Sequence, residues 1–364
     1  MSTNREASKR KVMALAERFS HSSQDYRTAL LQLLREFVPF DGACCTTVDP
    51  QTLLSTGAIT EDGVEAIHHG IFEHEYLRED FNRYDDLCKA AEPVATLSQA
   101  TEGQLERSDR YRNVLLPAGF HDEMRAALKY DGACWGYLTL FRSQGRPFFS
   151  EQERECIWAL APLIAYQLRK TSLSLPAEEN TWMEEEMGIL MLSDQFTLPV
   201  ANPTAEKWLT LLRQWESIDR DTLPRPVRAV CSRALSQLAE SGHKTSMAKV
   251  CIRMPDGPYM TIQASPMNTQ SSTVHLAVLF GPAKPANMLP LIAEAYGLSV
   301  REKQILDQIV RGASTKELAR TLHISAYTVQ DHLKSIFVKT GVSSRRELIW
   351  QLFTRFGVGV QANQ

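Results

Sequence analysis

Three Ser-x-x-Glu patterns fall close together near the end of the chain: Ser299 with Glu302, Ser314 with Glu317 and Ser344 with Glu347. In each, the serine hydroxyl can accept from the third helical N–H while the glutamate reaches back to the serine N–H, so each announces a helix start. Ser325 opens a further helix without the acidic partner. Four short helices in under 60 residues are therefore expected. Between the second and third, only His323, Ile324 and Ser325 intervene after Leu322, and so short a connection turns two helices through a sharp corner. The third helix should run from Ser325 to Lys339, roughly 22 Å at 1.5 Å per residue, and stop at Gly341 as a left-handed cap.

The two faces of that helix differ. Val329, His332, Leu333 and Ile336 follow helical spacing and should pack on Ile305, Leu306, Ile309, Leu318 and Leu322. The opposite face carries Tyr327, Gln330, Asp331 and Lys334. Gln suits adenine, Lys suits guanine and Asp can accept from the cytosine amino group. Ser325, Thr328, Lys339 and Arg345 flank that face with hydroxyls and cations suited to phosphates. Charge supports the same surface. From Leu298 onward the chain has ten Lys and Arg against five Asp and Glu, a local +5, whereas the whole chain is −3 and the remainder therefore −8. One region is built to meet a polyanion and the rest is not.

At 364 residues the chain is expected to hold two or three domains. No apolar run approaches a membrane span and the start lacks a secretory signal, so a cytoplasmic protein without a membrane partner is expected. Seven cysteines show no CxxC and no metal spacing, which leaves buried small residues as the main reading and a redox pair at Cys44-Cys45 or Cys134 as the lesser one. Stretches 171–181 and 281–290 read as linkers, giving domains at 1–172, 182–282 and 290–364.

The first domain opens with helical spacing from Tyr26 to Phe37, continues through strand-like runs GACCTTVD and LLSTGAI, and reaches a hairpin about Asp131-Gly132, where Met124, Ala126, Leu128 and Tyr130 alternate with Arg125 and Lys129. A helix capped by Ser150 and Glu153 closes it. This α+β layout resembles a GAF domain. The second domain has two strands about Asp194, helices opened by Pro203, then strands about Asp256-Gly257 and STVHLAVLF; it is α+β and resembles a PAS domain. No cofactor signature is present. Aromatic and long side chains, Phe72, Tyr76, Phe120, Met124 and Trp135, are candidates to line a pocket for a small, partly apolar effector between sheet and helices, although each is also an ordinary core residue.

The tail carries a more specific resemblance. Arg301-Glu302, Gly312, Lys316-Glu317-Leu318-Ala319, Ile324-Ser325, Thr328-Val329, His332, Lys339, Gly341-Val342 and Arg345 match the pattern of the LuxR-type, FixJ- and NarL-like DNA-binding domain. The resemblance covers about a seventh of the chain and implies an all-α four-helix helix-turn-helix, with Gln330, Asp331 and Lys334 at the positions that commonly touch bases. That family often has Lys or Arg where Gln330 stands, so the operator sequence stays open. The resemblance also implies double-stranded DNA as partner, a homodimer pairing through Ile349, Trp350, Leu352, Phe353 and Phe356, and RNA polymerase as a further candidate. A phosphorelay receiver lacks its βαβ alternation here, and no catalytic motif appears, so an enzyme is not expected. Two readings of the front part remain: a ligand sensor, or a dimerising or protein-binding module without a small ligand.

Overall fold

A computed structural model describes residues 2–61, 63–172, 187–197, 200–239, 247–254, 259–267, 274–283 and 285–356. The described parts of Met1–Ser174, Glu184–Ile252 and Ile262–Gly281 form one compact unit; those of Leu175–Met183, Arg253–Thr261 and Pro282–Gln364 form a second.

The chain begins with α1 (Ser2–Arg18) and α2 (Ser23–Leu34), the latter capped by Ser22, whose hydroxyl accepts from the Asp25 N–H. Strands β1 (Gly42–Val48) and β2 (Ser55–Thr60) follow, then α3 (Val64–Tyr76), α4 (Tyr84–Lys89), β3 (Val94–Thr96) and the single turn α5 (Leu97–Ala100). The hairpin β4 (Phe120–Tyr130) and β5 (Ala133–Ser143) turns at Asp131 and Gly132, both at positive φ, as an Asp-Gly pair in a two-residue loop requires. Helix α6 (Glu151–Ser172) starts at the expected capping box, with the Glu153 carboxylate accepting from the Ser150 N–H at 2.8 Å.

These strands form one sheet in the order β2-β1-β5-β4-β3. At Gly136 a Cβ would sit 2.5 Å from the Thr46 carbonyl and 2.6 Å from Leu168 of α6, so only glycine lets the helix lie this close to the sheet. Alternation in β4 is correct as to faces and wrong as to exposure: Arg125 is fully buried, because helices cover both sides of the sheet. Helix α1, which packs on α6, has no counterpart in the sequence reading.

The second sheet comprises β6 (Gly188–Ser193), β7 (Val200–Ala201), β8 (Lys249–Arg253), β9 (Tyr259–Met267) and β10 (His275–Pro282), with α7 (Pro203–Glu216) and α8 (Arg225–Ala239) inserted after β7. Its order, β7-β6-β10-β9-β8, repeats that of the first sheet when each is numbered from its own start. In β9, Met260, Ile262 and Ala264 are buried and Gln263 exposed, as the alternation requires. The Asp256-Gly257 turn and residues 173–181 of the expected first linker lie outside the described residues.

The expected linker 281–290 is not one. Strand β10 runs to Pro282 and α9 (Pro285–Ala295) starts three residues later, its Met288 and Ile292 fully buried. Pro285 fits a first helical turn and Pro290 is carried by the packing, so proline content misreads as a spacer. The tail then folds as α10 (Val300–Val310), α11 (Thr315–Thr321), α12 (Ala326–Thr340) and α13 (Arg345–Phe356).

Candidate nucleic-acid interface

Both ends of α12 are fixed by local chemistry. The Ser325 hydroxyl accepts from the Thr328 N–H at 3.0 Å and exchanges a hydrogen bond with the Thr328 hydroxyl at 2.8 Å. Gly341 ends the helix at φ 72°. Before it, His323 takes a positive φ of 53° and the Ile324 N–H reaches back to the Ala319 carbonyl at 3.0 Å, which closes the corner between α11 and α12 in three residues. The capping boxes of α10 and α11 form as expected. At α13 the return leg moves by one residue: Glu347 accepts from the Ser343 N–H and hydroxyl, while its own N–H donates to Ser344.

Val329, Leu333 and Ile336 are buried together with Ile305, Leu306, Ile309 and Leu318; His332 and Leu322 are only half-buried. The opposite face is open. Tyr327 is 73% exposed, Gln330 and Asp331 are exposed, and the Lys334 side chain is 71% exposed with its ammonium 3.5 Å from Asp331. So open an ion pair contributes about 0–1 kcal/mol, so both groups can turn to another partner at little cost.

Two of the flanking cations also bond within the chain. Lys339 donates to Glu302 Oε2 at 2.7 Å and to the Gly297 carbonyl at 3.0 Å, tying the end of α12 to the start of α10. Burial opposes ionisation of Glu302, but hydrogen bonds from Lys339, Ser335 and Ser299 outweigh it and hold its carboxyl at about 2. Arg345 donates to the Ala313 carbonyl at 2.5 Å. Arg346, which the sequence reading passed over, is exposed beside it and adds a cation on the same end of α13. Trp350 is 65% exposed and Leu352 buried; the side chains of Phe353 and Phe356 lie outside the described residues.

In the first unit the five candidate pocket residues do not converge. Phe72 and Tyr76 meet on α3 with ring centroids 5.3 Å apart. Phe120 packs on Phe141 at 4.9 Å within a buried apolar cluster that includes Tyr111 and Leu115. Met124 pairs with Thr96 and Leu140 in the sheet, on the face opposite its neighbours Glu123 and Arg125, and Trp135 is buried.

Where an apolar hollow was expected there is charge. Arg125 bridges Glu75 at 2.6 Å and Glu123 at 2.9 Å; Arg110 reaches Glu123 at 2.8 Å, and its backbone N–H donates to Asp80 at 2.6 Å. Burial alone would raise the Glu123 carboxyl, yet Arg110 and Arg125 hold it below the usual range. Asp122 accepts from Ser98 and from the Phe149 N–H, so this carboxylate serves structure, and among the described residues no cluster of His, Cys, Asp and Glu could hold a metal. Burial pushes the Cys44 thiol up and that of Cys45 up to about 12, the opposite of a reactive thiolate.

Within the second unit, α10 to α13 form a four-helix helix-turn-helix whose third helix, α12, presents an exposed polar face. Residues 297–351 match the family described as bacterial regulatory proteins, luxR family. The monoamine regulon transcriptional regulator of Klebsiella aerogenes is 46% identical over 52 residues, which cover 14% of this chain and 23% of that protein. The spore germination protein GerE of Bacillus subtilis (strain 168) is 34% identical over 55 residues, 15% of this chain and 74% of that one. The chain belongs to the luxR family. It spans about a quarter of the length of the first relative, so the shared part is the tail. The VqsR LBD domain from Pseudomonas aeruginosa is 18% identical and covers 46% of this chain and 94% of its own, with a TM-score of 0.31 that supports no closer comparison. Among the described residues no helix is long and apolar enough to cross a membrane.

Proposed function

We propose that this chain is a sequence-specific DNA-binding transcription regulator, controlled by its GAF-like and PAS-like front domains. The observation that carries it is the open face of α12, where Tyr327, Gln330, Asp331 and Lys334 stand exposed on a helix fixed at both ends. A rigid helix about 22 Å long fits the major groove, and these side chains match base-edge donors and acceptors. Ser325 and Thr328 at its start, with Lys339, Arg345 and Arg346 near its other end, supply phosphate contacts that set register. A homodimer would read two half-sites about one helical turn apart, with Trp350 on α13 at the pairing surface. RNA polymerase is the partner such a regulator would address.

Control by a small effector is the main reading, through a shift in how the front domains hold the two reading heads. The packing of Phe120 within a buried apolar cluster and the charge around Arg125 favour a second reading, a dimerising or protein-binding front without ligand. Retardation of duplex DNA by the full chain over a salt series tests the DNA reading. Binding should weaken steeply as salt rises, in proportion to the phosphates neutralised. Absence of retardation at low salt would refute it.

A further inference from the structure

Between the two sheet-bearing domains of the first unit, buried positive charge outnumbers the negative charge that faces it. Helix α8 brings Arg225 and Arg228 against β2 and α3, where Arg27 of α2 also arrives; all three are buried. The facing carboxylates are Glu65 and Glu216. Arg225 takes both, pairing with Glu65 and lying 3.6 Å from Glu216. Arg27 donates to the carbonyls of Cys45 at 3.0 Å and Gly57 at 3.3 Å. Arg228 lies within the field of Glu216 and Glu65 but forms no ion pair with either. It is 5% exposed, and its Nε and Nη2 are buried without a hydrogen-bond acceptor; its guanidinium lies 5.7 Å from the Phe72 ring. His68 brings no negative charge and stays neutral, because burial and the neighbouring Arg225 and Arg228 push its pKa well down.

A buried guanidinium with no carboxylate in contact is costly, and the cost falls if an anion arrives to meet it. Arg228 and Phe72 help to wall a cleft of about 450 Å³, together with Ser232, His69 and Phe196. That volume suits a small organic molecule. Two carboxylates also border it, but Glu73 is already paired with Arg78 at 2.5 Å and Asp194 is exposed to solvent. We propose that this cleft is the effector site, and that it takes a small organic anion, a carboxylate or phosphate monoester on an aromatic body, with its head on Arg228 and its ring along Phe72 and Phe196. The inference rests on the reading of this unit as a sensor. Because α3 belongs to one sheet-bearing domain and α8 and the 194–197 turn to the other, an occupant ties the two together.

The test uses the full chain with benzoate, phenyl phosphate and the neutral benzamide as probes, followed by thermal melting and calorimetric titration. A saturable rise in melting temperature with one or both anions and none with benzamide is expected; the stronger of the two anions identifies the head group. Arg228→Met, which keeps much of the stem's volume, should lose about tenfold or more in anion affinity and melt no lower than the parent without ligand. Gln195→Trp, which narrows the cleft with Arg228 intact, should weaken the same anion. The proposal is overturned if neither anion shifts the parent, if Arg228→Met binds as well as the parent, or if it melts lower, the mark of a structural arginine. DNA retardation by the same preparation separates the two ideas: intact retardation without anion binding removes only this site, and anion binding without retardation removes only the regulator.

Discussion

Charge is used in opposite ways in the two units. In the first, Arg110 and Arg125 are wholly buried and both are held by Glu123 of β4, with Glu75 of α3 added for Arg125. On α12, Lys334 stands in solvent with a single weak neighbour. Buried and paired, a guanidinium holds packed elements in one arrangement; exposed and loosely paired, an ammonium is available to something outside the chain. The contrast says which charges to remove to damage the fold and which to remove to damage recognition.

The largest expected effect sharpens the first half of that contrast. Arg125→Ala leaves Glu75 and Glu123 buried without their shared cation and should destabilise the first unit by about 3–5 kcal/mol, read by denaturant unfolding. A loss under 1 kcal/mol would mean that the network is not the clamp described. On α12 the order reverses. Lys334→Ala should leave stability within about 0.5 kcal/mol while costing about 1–3 kcal/mol at a specific DNA site, and a melt that falls with DNA binding unchanged would break the contrast.

Smaller effects concern how the reading helix is held. Ser314→Ala removes the cap of α11 and should cost about 1 kcal/mol, visible as a lower midpoint for the tail. The weakest is a pH effect at Glu302. Its folded carboxyl lies at about 2 against an ordinary value of 4.5, so its contribution is fully present above 4.5 and fades as pH falls through 2. Glu302→Gln should flatten acid sensitivity in that window, and an unchanged acid profile would show that the Lys339 latch does not hold.

The tail was legible because its instructions are local. Ser299, Ser314, Ser325 and Gly341 each act within four residues, and the corner at His323 needs only a short connection, so spacing alone reveals the elements. The hairpin at Asp131-Gly132 was legible for the same reason. Arg125 was not, because its partner Glu75 lies 50 positions away and nothing near either residue marks the pair. Alternation showed two faces of β4 without showing that both are covered. Helix α9 was hidden by Pro285 and Pro290, which read as spacer until the burial of Met288 and Ile292 is known. The shared strand order of the two sheets repeats a path of the chain rather than a run of residues, so no period in the sequence betrays it.

The most direct test of the central claim is selection of duplexes by the full chain from a randomised pool, repeated with Lys334→Ala. The account expects a consensus with half-sites about one turn apart, and one position in each half-site that loses its base preference in the variant. A pool that yields no consensus, or the same consensus from both proteins, would contradict it.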